Sequence, residues 1–316
     1  MEYALLKNRS YRGVISTGLG LYFSHFRLFF KASWLMALLY AVVFAALEMV
    51  LSVQLPALSA TIMKNELVLK TQLSPEIAQQ YLMTIGVTFL LVLLYTVVEA
   101  LTTATVLKKL KEHHDTNTMT IPKRWLAISR HLMGRTLKGY LFTIIVLLMP
   151  ILLSTALVLA LHHLMPTAVM TLKIVAVVLS MILGLMCLPM LFVFVKYMMS
   201  QGKTYFSLLV PSYAMGLRHW GHIFTTCLIS GMMICVLAGI CCLPAIILAQ
   251  AHWASQEGFL NGDPLGMPDY INMLSFITFF LTGFVLVYLC MPMLMIAYYM
   301  YGSIETYEKE KNKIDI

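Results

Sequence analysis

Residues 172–197, LKIVAVVLSMILGLMCLPMLFVFVKY, place 22 consecutive uncharged residues, Ile174–Val195, between two lysines. At 1.5 Å per residue a helix of that length crosses the ~30 Å hydrocarbon layer of a bilayer. Reading outward from it, five more apolar stretches predict spans of the same kind, so that the full set is Ser33–Leu55, Tyr81–Leu107, Gly139–Leu161, Leu172–Tyr197, Ile223–Ala249 and Ile271–Tyr301. The fold expected is an all-α polytopic membrane protein with six transmembrane helices arranged as three hairpins.

Charge orients the six spans. Nineteen of the twenty-two Lys and Arg residues fall on one side, leaving Lys64, Lys70 and Lys173 on the other. Basic residues concentrate on the cytoplasmic side of bacterial membrane proteins, which predicts the bacterial inner membrane with both termini in the cytoplasm. With 60% hydrophobic and 11% charged residues, the chain has too few charges to clothe a soluble domain. A single transmembrane domain over 1–316 is therefore expected, with hairpin units at 1–107, 108–200 and 201–316. The net charge of +8 sits beside the spans, where anionic headgroups account for it, so no nucleic-acid partner is expected. The first apolar run, from Ser33, predicts a signal anchor. All six cysteines lie within spans and are expected as free thiols.

An internal repeat is visible. Met133-Gly134 and Gly139-Tyr140-Leu141-Phe142-Thr143 align with Met215-Gly216 and Gly221-His222-Ile223-Phe224-Thr225 at an offset of 82 residues. Cys187-Leu188-Pro189-Met190-Leu191 aligns with Cys290-Met291-Pro292-Met293-Leu294 at an offset of 103. Both prolines are expected as paired hinges, since each removes a helical hydrogen bond. The units predict parallel pseudo-repeats, each a cytoplasmic interfacial segment followed by a hairpin.

Two interfacial segments are amphipathic at helical spacing. Over Lys123–Lys138, the residues Lys123, Arg124, Arg130, His131, Arg135 and Lys138 share one arc, opposite Trp125, Leu126, Ile128 and Leu132. Over Leu21–Lys31, Tyr22, Phe23, Phe26, Phe29 and Phe30 oppose Ser24, Arg27 and Lys31. Such helices lie in the headgroup plane, so these cations are the candidate binders of anionic lipid. The third segment, Tyr205–Trp220, carries Pro211 and only one charged residue, Arg218.

With Ser33-Trp34, Gly139-Tyr140 and Gly221-His222 at the entrances to its hairpins, the chain resembles the membrane domain fused to membrane-anchored glycerophosphodiester phosphodiesterases and found in related bacterial six-span families. The resemblance covers nearly the whole chain. It implies the fold and a lipid-proximal role without an activity, because the soluble phosphodiesterase domain and its catalytic acids and histidine are absent.

Two carboxylates, Glu48 and Glu99, lie inside spans, where an ionisable group is costly and marks a functional candidate. Thr88, Tyr95, Glu99, Thr102 and Thr103 recur on one helical face and form a candidate polar site, with Glu48 at a different depth. The nine histidines fall at span ends or in loops and do not converge as a metal enzyme requires. No catalytic residue, metal site or cofactor is expected. These features predict a non-enzymatic, lipid-proximal scaffold or accessory subunit, with anionic lipid and a second membrane protein as partners. The alternative is a transporter or permease coupled through Glu99, and a lipid-modifying membrane enzyme comes third.

Overall fold

The computed structural model describes residues 4–64, 75–116, 130–164, 169–200, 204–262, 266–268 and 270–314. Every regular element among them is helical. In chain order these are α1 (Tyr11–Ser24), α2 (Phe26–Met49), a π-helical turn (Val50–Gln54), α3 (Leu55–Met63), α4 (Pro75–Thr116), α5 (Arg130–Leu164), α6 (Val169–Met186), α7 (Pro189–Met199), α8 (Tyr205–Arg218), α9 (Trp220–Leu260) and α10 (Tyr270–Ile314).

Five stretches are long and apolar enough to cross a membrane: Phe26–Met63, Pro75–Asp115, Val177–Met199, Trp220–Leu260 and Tyr270–Lys313. The expected span Gly139–Leu161 lies on α5 and is not among the five; several of its side chains are outside the described residues. Helices overrun the apolar stretches at most ends. The loops expected at 56–80 and 250–270 are helical through Met63, from Pro75 and through Leu260, and the segment 108–138 is helical through Thr116 and from Arg130. Hydropathy marks where a helix is apolar, whereas its hydrogen bonds continue until a cap or proline ends them.

By contacts the chain divides into two compact units, one of residues 1–29, 103–232 and 292–316 and the other of 30–102 and 233–291. The first unit is tied together at the end of α10. Ser303 exchanges two 2.9 Å hydrogen bonds with the backbone of Arg9, donating its hydroxyl to the carbonyl and accepting the N–H. Lys196 lies 3.1 Å from Glu305, and His219 Nε2 lies 2.7 Å from Glu308. Gly18 passes directly over Ile296, where a Cβ would sit 2.9 Å from its side chain. Tyr298, Tyr299, Met295 and Ile296 are fully buried there.

Within this unit α1 and α8 are built alike. Each has 14 residues, follows a Ser or Thr in extended conformation (Ser10, Thr204), and stops at a histidine with near-identical dihedrals, φ −117° and ψ 19° at His25 against φ −104° and ψ 22° at His219. The long helix then begins at an aromatic residue, Phe26 or Trp220. Buried positions also match at an offset of 194: Val14 with Leu208, Gly18 with Ser212, and Tyr22 with Gly216. The stop at His25 overturns the single amphipathic helix expected over Leu21–Lys31. Of the aromatic residues expected on one face, Tyr22 and Phe29 are buried, one on each side of the turn, while Phe23 is 69% exposed.

The second unit packs aromatic side chains against small residues. Tyr40, Val43 and Val98 form one cluster with Phe44, Tyr95 and Val287; Ala45, Ala245 and Phe279 form another. Gly283 passes over the Phe44 ring, where a Cβ would lie 2.7 Å from Cδ1. The π-helical turn directly precedes Pro56, with the Leu55 N–H bonding the Val50 carbonyl. Pro56 has no N–H for the Ser52 carbonyl and its ring crowds the preceding turn, and a widened turn relieves that clash.

Candidate functional site

Tyr40, Phe44 and Glu48 follow one another at four-residue spacing along α2, and Tyr95 and Glu99 do so along α4, so each helix carries a tyrosine and a carboxylate on one face. In the second unit the two tyrosines meet. Their hydroxyls are 2.5 Å apart and their rings 5.0 Å apart. Tyr40 is within electrostatic reach of Glu99, as is Cys290 of α10, and Tyr95 is within reach of both Glu99 and Glu48. Ser52, in the π-helical turn, donates to Glu48 at 3.5 Å. A bonded hydroxyl pair with carboxylates on the same two helix faces, in helices that are otherwise apolar, is an arrangement that could hold a proton.

The threonines do not join it. Thr88 donates to the Thr84 carbonyl and Thr102 to the Glu99 carbonyl, both on their own helix. Short hydroxyl side chains in an apolar helix satisfy themselves on the preceding turn, and helical spacing alone does not reveal this. Thr103 is half-buried. Tyr40 and Ser52, which complete the cluster, were not singled out from sequence. The signal for Tyr40 was its place two turns before Glu48 on the same face.

The candidate lipid-binding cations separate into three sets. Lys123 and Arg124 lie outside the described residues, as do the side chains of Arg130 and His131. Arg27, Lys31 and Lys138 are exposed. Arg135 is committed elsewhere: its guanidinium donates to the Tyr197 carbonyl and to Ser200 Oγ, and stacks 4.3 Å over the Tyr197 ring. The last carbonyls of α7 have no helical partner and carry the negative end of its dipole, so they compete for this cation. Nor is Arg130–Lys138 a separate interfacial helix, since these residues are the first turns of α5.

The expected hinges differ from one another. Pro189 separates α6 from α7, with Cys187 and Leu188 in the turn and i→i−3 bonds on both sides of it. The corner between α8 and α9 caps this break: Trp220 Nε1 donates to the Leu185 carbonyl at 3.1 Å and Tyr213 donates to the Met186 carbonyl at 2.8 Å. Burial and the nearby Cys187 thiol push the Tyr213 phenol up, which keeps it a donor. Gly216 lies against Pro189, where a Cβ would come within 2.8 Å of the proline Cβ. Pro292 stands inside the uninterrupted α10.

Cys187, Cys227, Cys235, Cys241, Cys242 and Cys290 are free thiols. No group of three or more His, Cys, Asp and Glu residues among the described residues is placed to hold a metal ion. His252, expected beyond the end of a span, is buried within α9, 2.9 Å from Ser275 Oγ. No family model matches the chain, and none of the curated proteins or solved structures compared with it matches either.

Proposed function

We propose that the chain is a six-span inner-membrane protein of three hairpins, with both termini cytoplasmic, that works as a lipid-proximal scaffold or accessory subunit. The observation that carries this reading is a contrast in burial. The apolar windows of α2 and α10 are 50% and 44% buried, whereas those of α4 and α9 are 6% buried. Along two full-length apolar helices almost no side chain is fully buried, which leaves an apolar surface for acyl chains or the helices of a partner that water would not tolerate.

A second reading, transport coupled through Glu99, is favoured by the bonded Tyr40–Tyr95 pair one helical turn from Glu99. Vesicles loaded with a pH-sensitive dye separate the two. A scaffold leaves reconstituted vesicles no leakier to protons than empty ones, and Glu99→Gln retains its thermal stability and bound lipid. Proton flux that Glu99→Gln abolishes would replace the scaffold by the transporter. Topology is tested in a cysteine-free background: Asn117→Cys should resist an impermeant thiol reagent in intact cells and Asn261→Cys should react.

A further inference from the structure

Where α3 and the end of α9 diverge in the second unit they leave a groove of about 440 Å³. Pro56, Ala60, Met63 and Leu260 give it apolar walls, and Trp253 and Glu257 stand on the same lining. Trp253 lines the groove and is 55% exposed, so it remains accessible to a ligand there. Lys64, adjoining Met63, holds its ammonium 4.2 Å over the ring of Phe259, two residues beyond Glu257. Among the described residues neither Lys64 nor Glu257 has an ion-pair partner. An acidic side chain, Glu257, therefore lines the groove, a basic one, Lys64, follows the lining residue Met63, and the two form no ion pair with each other.

A ligand of single charge would meet attraction from one of these groups and repulsion from the other. A zwitterion with an apolar body satisfies both. We propose that the groove binds the headgroup of an aminophospholipid, its primary ammonium between the Glu257 carboxylate and the Trp253 ring, its phosphate toward Lys64 and its glycerol end on Met63 and Leu260. A carboxylate accepts the N–H bonds of a primary ammonium, and an indole face attracts the cation. A trimethylated ammonium keeps only the second of these contacts, so the groove discriminates by hydrogen bonding. The volume lies within the range of small-ligand sites, ~300–1,000 Å³. This inference rests on the lipid-proximal reading.

The test is native mass spectrometry of the full chain in nonionic detergent, incubated with an equimolar mixture of phosphatidylethanolamine, phosphatidylcholine and phosphatidylglycerol with identical acyl chains. The wild-type protein should retain phosphatidylethanolamine severalfold over phosphatidylcholine. Glu257→Gln and Trp253→Leu should each bring that ratio to about one, and Lys64→Gln should lower phosphatidylethanolamine retention; all three positions are surface-exposed or half-buried, and an unchanged melting temperature shows that the fold is kept. Equal retention of the two lipids by the wild-type protein, or a preference that survives Glu257→Gln, overturns the proposal. Unselective retention defeats the groove alone, whereas a wild-type protein that retains no phospholipid defeats the lipid-proximal reading as well.

Discussion

Cys187-Leu188-Pro189-Met190-Leu191 and Cys290-Met291-Pro292-Met293-Leu294 differ at one position in five, yet the first parts two helices and the second stays inside a 45-residue one. The difference lies in their neighbours. Around Pro189 the α8–α9 corner brings an indole to the Leu185 carbonyl that the proline cannot serve and a phenol to the next carbonyl, Met186, and Gly216 lets that corner approach the ring. At Pro292 the adjoining Met293 sulfur accepts from Ser230 of α9 at 3.4 Å. A proline removes one N–H wherever it stands; whether the helix bends or breaks depends on what else can serve the backbone.

The glycines divide in the same way. In the alignment Gly134 pairs with Gly216 and Gly139 with Gly221, but Gly216 and Gly139 are packed against Pro189 and the Phe194 and Tyr197 rings, while Gly134 and Gly221 have open space. The sharpest test is therefore Gly216→Ala against Gly134→Ala. The first should lower stability by ~1–3 kcal/mol through overpacking, and the second should leave it unchanged or raise it by up to ~1 kcal/mol, because alanine is the better helix former. Thermal unfolding in detergent reads both, and equal responses would restore the equivalence of the aligned copies.

Arg135→Gln should lower stability by ~1.5–3 kcal/mol, since it strips charge-assisted hydrogen bonds from the end of α7. Lys138→Gln, three residues away and exposed, should leave the melting temperature where it was. If Arg135→Gln instead reduced bound anionic lipid with stability intact, the headgroup role would return to this residue. Tyr213→Phe should cost about 0.5–1.5 kcal/mol as one lost hydrogen bond to the Met186 carbonyl. In a Pro189→Ala background, where an N–H again serves the Leu185 carbonyl and α6 and α7 can run on, the cost should shrink; an undiminished cost would uncouple the tyrosine from the break. The smallest effect expected is at Tyr40→Phe combined with Tyr95→Phe, where loss of both partners leaves no buried hydroxyl unpaired and the double variant should be more stable than the sum of the singles predicts.

Hydropathy and the distribution of Lys and Arg were enough to read an all-helical chain with apolar spans, because the transfer energy of each side chain is its own and adds along the sequence. Glu48 and Glu99 stood out for the same reason. Contacts between distant residues carry no such local signature. That Tyr40 bonds Tyr95, that Arg135 bonds the end of α7, that His25 and His219 stop matched helices 194 residues apart, and that Pro189 breaks a helix while Pro292 does not were all decided by tertiary structure. Each depends on which donor reaches which acceptor, a distance that packing sets and that composition and periodicity leave open.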